Sequence, residues 1–292
     1  MCLFLDTLKK VIYNLLIEQN KKQFHGKKGG NEMRNVILER FKEGKKTIGT
    51  LTHMKSMTAV EAIGAAGMDY VMIDMEHSPV TIDEASRLIT AADAAGIDAV
   101  ARSGSAGRTD VLKLLDVGAK GVIVPGIDSK EQVEELVRYA KFAPQGARGY
   151  CMTRDGKWGF SDEYAGGLGE YMKRANEGTM LIPQCETTGC LEQIEEITAM
   201  DGVDGVLIGP YDLSLGMGLG GSFDSPEFNE AVCRIKTACN KNNKVCITFT
   251  GDPDQISEKI EQGYDSVLFG LDVLALIGYY KNVVDVFNKC GV

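Results

Sequence analysis

Residues able to do acid–base and metal chemistry recur at the ends of short apolar runs in this sequence. YVMIDMEHSP carries Asp74, Glu76 and His77 behind one run, and DAVAR ends in Arg102. LIPQCET supplies Gln184 and Glu186, and GVLIGPYDLS supplies Asp212 and Ser214. Two carboxylates such as Glu186 and Asp212, brought together at neutral pH, repel each other and lose hydration. A divalent cation removes both problems, and carboxylate, carbonyl and water oxygens are the hard ligands that Mg²⁺ and Mn²⁺ take. The competing reading makes Glu186 a helix cap and Asp212 the acceptor of an Asx-type turn. His77 is one of three histidines and could move protons near neutrality, with Asp74, Glu76 or Asp116 as its orienting partner, or simply bond a loop backbone. Arg102 could clamp a carboxylate or enolate, or make a structural ion pair. Asp116 lies near a helix C-terminus, where a carboxylate opposes the helix dipole, so a specific partner is expected. Arg148 and Arg154 are further substrate-clamp candidates, His53 could line a pocket, and Tyr150 and Trp158 could contact a substrate from a lid.

These residues need a scaffold that gathers strand ends. Apolar strand-like runs occur at 47–51, 69–76, 97–102, 120–126, 178–187, 203–209, 244–250 and 264–270. Helical patterns alternate with them at 33–44, 57–67, 81–96, 108–119, 129–142, 189–200, 225–242 and 253–263, and the chain ends in a further helical pattern. The strands are continuously apolar, as strands buried on both faces are. Such a rhythm predicts an α/β protein with a parallel sheet covered by helices, closed as a single-domain (β/α)8 TIM barrel. A doubly wound open sheet is the alternative, but THMKSM after the first strand has no Gly-rich phosphate fingerprint. The stretch 143–177, rich in Gly, Arg and Tyr, predicts an extended loop over the site.

Composition narrows the function further. The net charge of −9 and a pI near 5.0 disfavour nucleic-acid binding, which needs clustered Lys and Arg. The eight cysteines form no C-x-x-C pair, which fits reduced thiols and a cytoplasmic protein. MCLFLDTLKKVIYNLLIEQ has helical spacing but is too short and too charged to span a membrane, and it lacks a signal-peptide order. Residues 1–32 read as a helical or disordered leader, with Met33 as the expected start and 33–292 as the barrel.

Taken in order, DMEHSP, LLDVGAKGVIVP, PQGARGY, QCET and GVDGVLIGPYDLS resemble the HpcH/HpaI aldolases, class II metal-dependent pyruvate aldolases related to citrate lyase β-subunits. The resemblance spans about residues 34–275. It implies Glu186 and Asp212 as ligands of a divalent cation (Mg²⁺ or Mn²⁺, with Co²⁺ possible) and His77 as the proton-transfer residue. It also implies Asp116 as the partner of His77, and Arg102 as the group that steadies the keto oxygen. Gln184, Gly209, Pro210, Tyr211 and Ser214 would contact the 2-oxo acid. The implied reaction cleaves or forms a 4-hydroxy-2-oxo acid to give pyruvate and an aldehyde, with no Schiff-base lysine. A citryl- or malyl-type lyase, or a condensing enzyme for oxaloacetate, is the alternative for the same site, and a non-catalytic barrel is a third reading. A homo-oligomer, often a hexamer, is implied, with no nucleic-acid or membrane partner. The chain departs from the family pattern at Arg102-Ser103, at Gln184-Cys185-Glu186 and in GARGYCMTRDGKWGF, which weakens any transfer of substrate specificity.

Overall fold

The computed structural model describes residues 33–160, 164 and 166–290. The expected leader, residues 1–32, lies outside them. Eight parallel strands form a closed barrel in chain order. They are β1 (Thr47–Thr52), β2 (Tyr70–Asp74), β3 (Asp98–Arg102), β4 (Gly121–Val124), β5 (Met180–Cys185), β6 (Gly205–Ile208), β7 (Val245–Thr250) and β8 (Ser266–Leu271). The helices are α1 (Val36–Lys42), α2 (Met57–Ala65), α3 (Ile82–Ala95), α4 (Arg108–Asp116), α5 (Lys130–Ala140), α6 (Leu168–Gly178), α7 (Thr188–Glu192), α8 (Ile194–Ala199), α9 (Pro210–Gly216), α10 (Pro226–Lys241), α11 (Ile256–Glu261) and α12 (Asp272–Lys289). The expected TIM barrel is therefore the observed fold.

Two apolar layers explain the continuous hydrophobic strands. Leu51, Tyr70, Met72, Val100, Ile123, Met180, Ile182, Leu207, Val245, Ile247 and Leu268 fill the barrel together with Ile37 of α1. Val71, Ile73, Ala99, Ala101, Val122, Leu181 and Val206 join the outer layer with the helices. Strand side chains alternate faces, so every second residue enters the barrel. Continuing that alternation brings His53 after Leu51, Asp74 after Met72 and Arg102 after Val100 to the C-terminal end of the barrel. Gln184 and Glu186 follow Ile182, and Gly209 follows Leu207, in the same way.

Close packing also dictates a glycine inside the barrel. A Cβ on Gly49 would lie 2.4 Å from the Tyr70 ring, whose hydroxyl lies 2.9 Å from Ser266 Oγ. At the opposite end from the site, Asn35 caps α1 and donates to the carbonyls of Lys120 (2.8 Å) and Gly178 (3.2 Å).

The expectation of one long loop at 143–177 is corrected in part. Arg154–Gly159 forms a 3₁₀ segment and α6 begins at Leu168, docking Tyr171 and Ala175 on Phe142. The helix expected at 189–200 is two short helices that meet at Gln193. Among the described residues no helix is long and apolar enough to cross a membrane.

Candidate active site

A cavity of 330 Å³ opens at the C-terminal end of the strands, lined by Glu76, His77, Glu186, Thr187, Thr188, Asp212 and Gly216. Glu76 and His77 arrive from the turn after β2. Glu186 and Thr187 follow β5, and Asp212 sits in the first turn of α9. Gly209 ends β6 and Pro210 opens α9, where the missing N–H of a proline is harmless. The competing reading of Asp212 as the acceptor of an Asx-type turn gives way to a place in the first turn of a helix.

Glu186 is buried and oriented by two donors. Its Oε1 accepts the Gly126 N–H at 2.7 Å, and its Oε2 accepts the Gln184 amide. Gln184 Oε1 is left buried without a protein partner. Gly209 permits this arrangement, because a Cβ there would lie 2.8 Å from Glu186 Oε2 and 3.1 Å from Gln184 Nε2. Among the residues lining the cavity there is no lysine or arginine to neutralise Glu186 and Asp212. The donor set is therefore hard oxygen with net negative charge, which fits a divalent cation. Among the described residues no three acidic, His or Cys side chains form a closed metal cage.

Beside the cavity lies an ionic network that sequence reasoning only partly foresaw. Asp74, fully buried, receives Arg102 through Nε (2.9 Å) and Nη2 (2.7 Å). Its Oδ1 also accepts the Glu76 N–H at 3.0 Å, and His53 Nε2 lies 2.7 Å from its Oδ2. Burial pushes this carboxyl up, but the Arg102 hydrogen bonds and charge, with His53, win and hold it at about 2. Arg102 Nη1 lies 3.1 Å from Glu76 Oε2, an ion pair in which that oxygen gains no well-formed hydrogen bond. Burial pushes the Glu76 carboxyl above its ordinary range, only partly offset by Arg102. His77 is mostly exposed, at 61 %, and its Nε2 stands 3.6 Å from Glu76 Oε2.

Several expected roles meet other partners. Asp116 does not meet His77; it pairs with Arg148 Nη2 at 2.7 Å. Arg148 also binds Asp155 at 2.8 Å and sits over the Phe142 ring, so it is a buried strut and not a free substrate clamp. The conflict of Asp116 with its helix end is thus relieved, but by a different residue. Burial raises the Asp116 carboxyl, with Arg148 opposing. Arg154 is likewise spent, on Asp93 at 2.6 Å and the Val117 carbonyl at 3.0 Å. Ser214 is buried and accepts the Gly221 N–H at 2.9 Å, tying down the loop after α9. Tyr211 is exposed and packs edge-on against Phe223. His53 does not line the cavity, and its place on Asp74 was signalled only by its period-2 spacing from Leu51.

Residues 51–278 match the family described as HpcH/HpaI aldolase/citrate lyase. The chain is 29% identical over 252 residues to a hydroxypyruvate/pyruvate aldolase of Roseobacter denitrificans, covering 85% of this chain and 95% of that one. A crystal structure of an HpcH/HpaI aldolase from Desulfitobacterium hafniense superposes with a TM-score of 0.76 at 29% identity, covering 86% of this chain and 96% of that one. The citrate synthase SbnG superposes with a TM-score of 0.78 at 26% identity, covering 88% and 98%.

Proposed function

The chain belongs to the HpcH/HpaI aldolase/citrate lyase family and is a carbon–carbon lyase, and from that premise we propose a divalent-metal-dependent pyruvate aldolase. Its reaction would be the reversible cleavage of a 4-hydroxy-2-oxo acid to pyruvate and an aldehyde. The observation that carries this reading is the convergence of Glu186, Asp212, Glu76 and His77 on one cavity with no lysine on its wall.

Glu186 and Asp212 would hold Mg²⁺ or Mn²⁺, with Co²⁺ also suited to such oxygen donors, and the chemistry supplied there is Lewis-acid stabilisation of charge on the keto oxygen. Gln184 keeps the Glu186 carboxylate turned toward the cavity. Arg102, fixed on Asp74, adds positive charge at the cavity margin through its Nη1 edge. His77 stands free to take the proton of the 4-hydroxyl. The C3–C4 bond then breaks, the aldehyde leaves, and protonation at C3 gives pyruvate. Gly209, Pro210 and Tyr211 frame the position proposed for the substrate carboxylate at the start of α9.

A homo-oligomer is part of this proposal. Helix α12 buries none of its residues and exposes Leu274, Ile277, Tyr280, Val284 and Phe287, a surface that supports association of copies. The seven described cysteines are free thiols, which supports a reducing, cytoplasmic setting.

Likeness to a citrate synthase favours a second reading, condensation on oxaloacetate with the same site. Exchange of the pyruvate methyl protons with deuterium, followed by NMR, separates the two. It would be run after chelation and again with Mg²⁺ or Mn²⁺ restored. Metal-dependent exchange is the expected result. A folded, metal-loaded protein that leaves the pyruvate methyl unlabelled overturns the pyruvate reading in favour of oxaloacetate.

A further inference from the structure

We propose that His53 is a positioning residue for this reaction: it completes the hydrogen bonding of Asp74 and so fixes the plane in which Arg102 meets the cavity. The inference rests on the aldolase reading above but concerns a residue with no place in the family motifs.

An ionised carboxylate has about four lone-pair positions. At Asp74, Oδ1 accepts Arg102 Nε, the Glu76 N–H and, at 3.4 Å, the His77 N–H, whereas Oδ2 accepts only Arg102 Nη2 from these groups. His53 Nε2, 2.7 Å from Oδ2, is the second partner of that oxygen. Asp74 is fully buried with His53 on its solvent side, so an unpaired Oδ2 is costly unless a donor enters where the imidazole stood. With His53 absent, Oδ2 keeps only Arg102 Nη2, and the guanidinium is free to turn so as to centre on that oxygen. That turn would carry Nη1 away from Glu76 and from the cavity margin. His53 therefore acts on the reacting groups through Asp74 and Arg102, without touching the substrate.

The fold fixes the backbone that carries the imidazole by an independent device. Asp272, at the junction of β8 and α12, accepts the N–H of His53 at 3.1 Å and that of Met54 at 3.1 Å. It also accepts the Thr52 hydroxyl at 2.5 Å. This one carboxylate pins the backbone on both sides of His53 where the barrel closes between β8 and β1. A loop residue needed only for solubility would not be held so closely by three donors converging on one acceptor.

The test compares two amides that differ in reach. The Gln amide can place its nitrogen near the position of imidazole Nε2, whereas the Asn amide reaches only as far as Nδ1. Metal-dependent deuterium exchange of pyruvate is measured for the wild type, His53→Gln and His53→Asn, with circular dichroism to confirm folding. Loss of a group that orients another typically costs about ten- to a hundred-fold. His53→Asn should lose that much in kcat with KM for pyruvate changed less than about two-fold, the pattern of an interaction used in the transition state. His53→Gln should stay within about three-fold of wild type. Wild-type kcat in His53→Asn overturns the proposal, as does an equal loss in both variants, which would mean that the ring and not its Nε2 contact matters. A rise in KM at constant kcat overturns it too. If His53→Asn does not fold, His53→Leu takes its place as the variant without a donor to Asp74 and is held to the same outcomes. Absence of exchange in the wild type refutes the aldolase reading, and this role with it.

Discussion

Gly209→Ala tests the site through a single methyl group. The backbone there has φ −91 and ψ 89, which alanine adopts without strain, so any effect comes from contacts. The new Cβ would lie 2.8 Å from Glu186 Oε2, 2.9 Å from Glu186 Cβ and 3.1 Å from Gln184 Nε2. Ordinary van der Waals contact begins at 3.4 Å, so the Glu186 carboxylate must retreat by about 0.6 Å or β6 must bend. Retreat is opposed by the Gly126 N–H on one carboxylate oxygen and the Gln184 amide on the other. Overpacking of this kind costs about 1–3 kcal/mol in stability. The functional loss should be larger, because a ligand displaced by a fraction of an ångström degrades metal binding and alignment together. A fall of roughly ten- to a hundred-fold in Mn²⁺ affinity is expected, and a fall of about a hundred-fold in pyruvate exchange. Calorimetric titration with Mn²⁺ gives the first quantity, NMR the second, and thermal melting shows whether the fold survives. A folded variant with wild-type Mn²⁺ affinity and exchange would refute the assignment of Glu186 as a ligand.

Two further outcomes follow from the same geometry. Glu186→Gln should abolish metal-dependent exchange while changing stability by less than about 1 kcal/mol. Gln184 can flip its amide so that Oε1 accepts from the new amide nitrogen, which keeps the pair bonded and exchanges one unpartnered buried atom for another; melting curves and Mn²⁺ titration check both halves. Acid stability should depend on Asp74, whose folded carboxyl lies near 2 against an ordinary 3.8. A depressed carboxyl stabilises the fold above its unfolded pKa and loses that contribution as pH falls from about 3.8 through about 2, a term of roughly 2 kcal/mol. The pH dependence of unfolding between those values, measured by urea titration, should be shallower in Asp74→Asn; an equal slope would count against the assignment.

The barrel was legible because its signal is repeated. Eight apolar runs alternating with helical patterns leave little choice of topology, and the alternation Leu51–His53, Met72–Asp74, Val100–Arg102 and Ile182–Gln184 points the right side chains to one end. Element ends were less legible where local and tertiary signals compete. Gly-Pro after β6 reads as a break, yet Pro at the first helical position starts α9 and carries Asp212 into the cavity. The stretch after Phe142 is rich in Gly and Tyr and reads as loop, yet Tyr171 and Ala175 pack on Phe142 and make a helix of its second half.

Pairing of charges was the least legible layer, for a physical reason. Periodicity fixes which face a residue occupies but not which opposite charge it meets, since that depends on elements far apart in sequence. Asp116 and Arg148 are 32 residues apart, and Asp74 and Arg102 are 28 apart. In the sequence Arg102 is set apart by its place at a strand end and by the family resemblance, but Arg148 and Arg154 also stand as candidate clamps. The structure separates them by what already occupies their donors. Arg148 is enclosed by two carboxylates and an aromatic ring, and Arg154 by Asp93 and a carbonyl. Arg102 alone of the three turns an edge toward a carboxylate on the cavity wall, with its other edge fixed to Asp74. A buried arginine with one edge committed and the other toward the site can stabilise charge without reorganising, and this is the ground on which the proposed mechanism gives the role to Arg102 and not to Arg148 or Arg154.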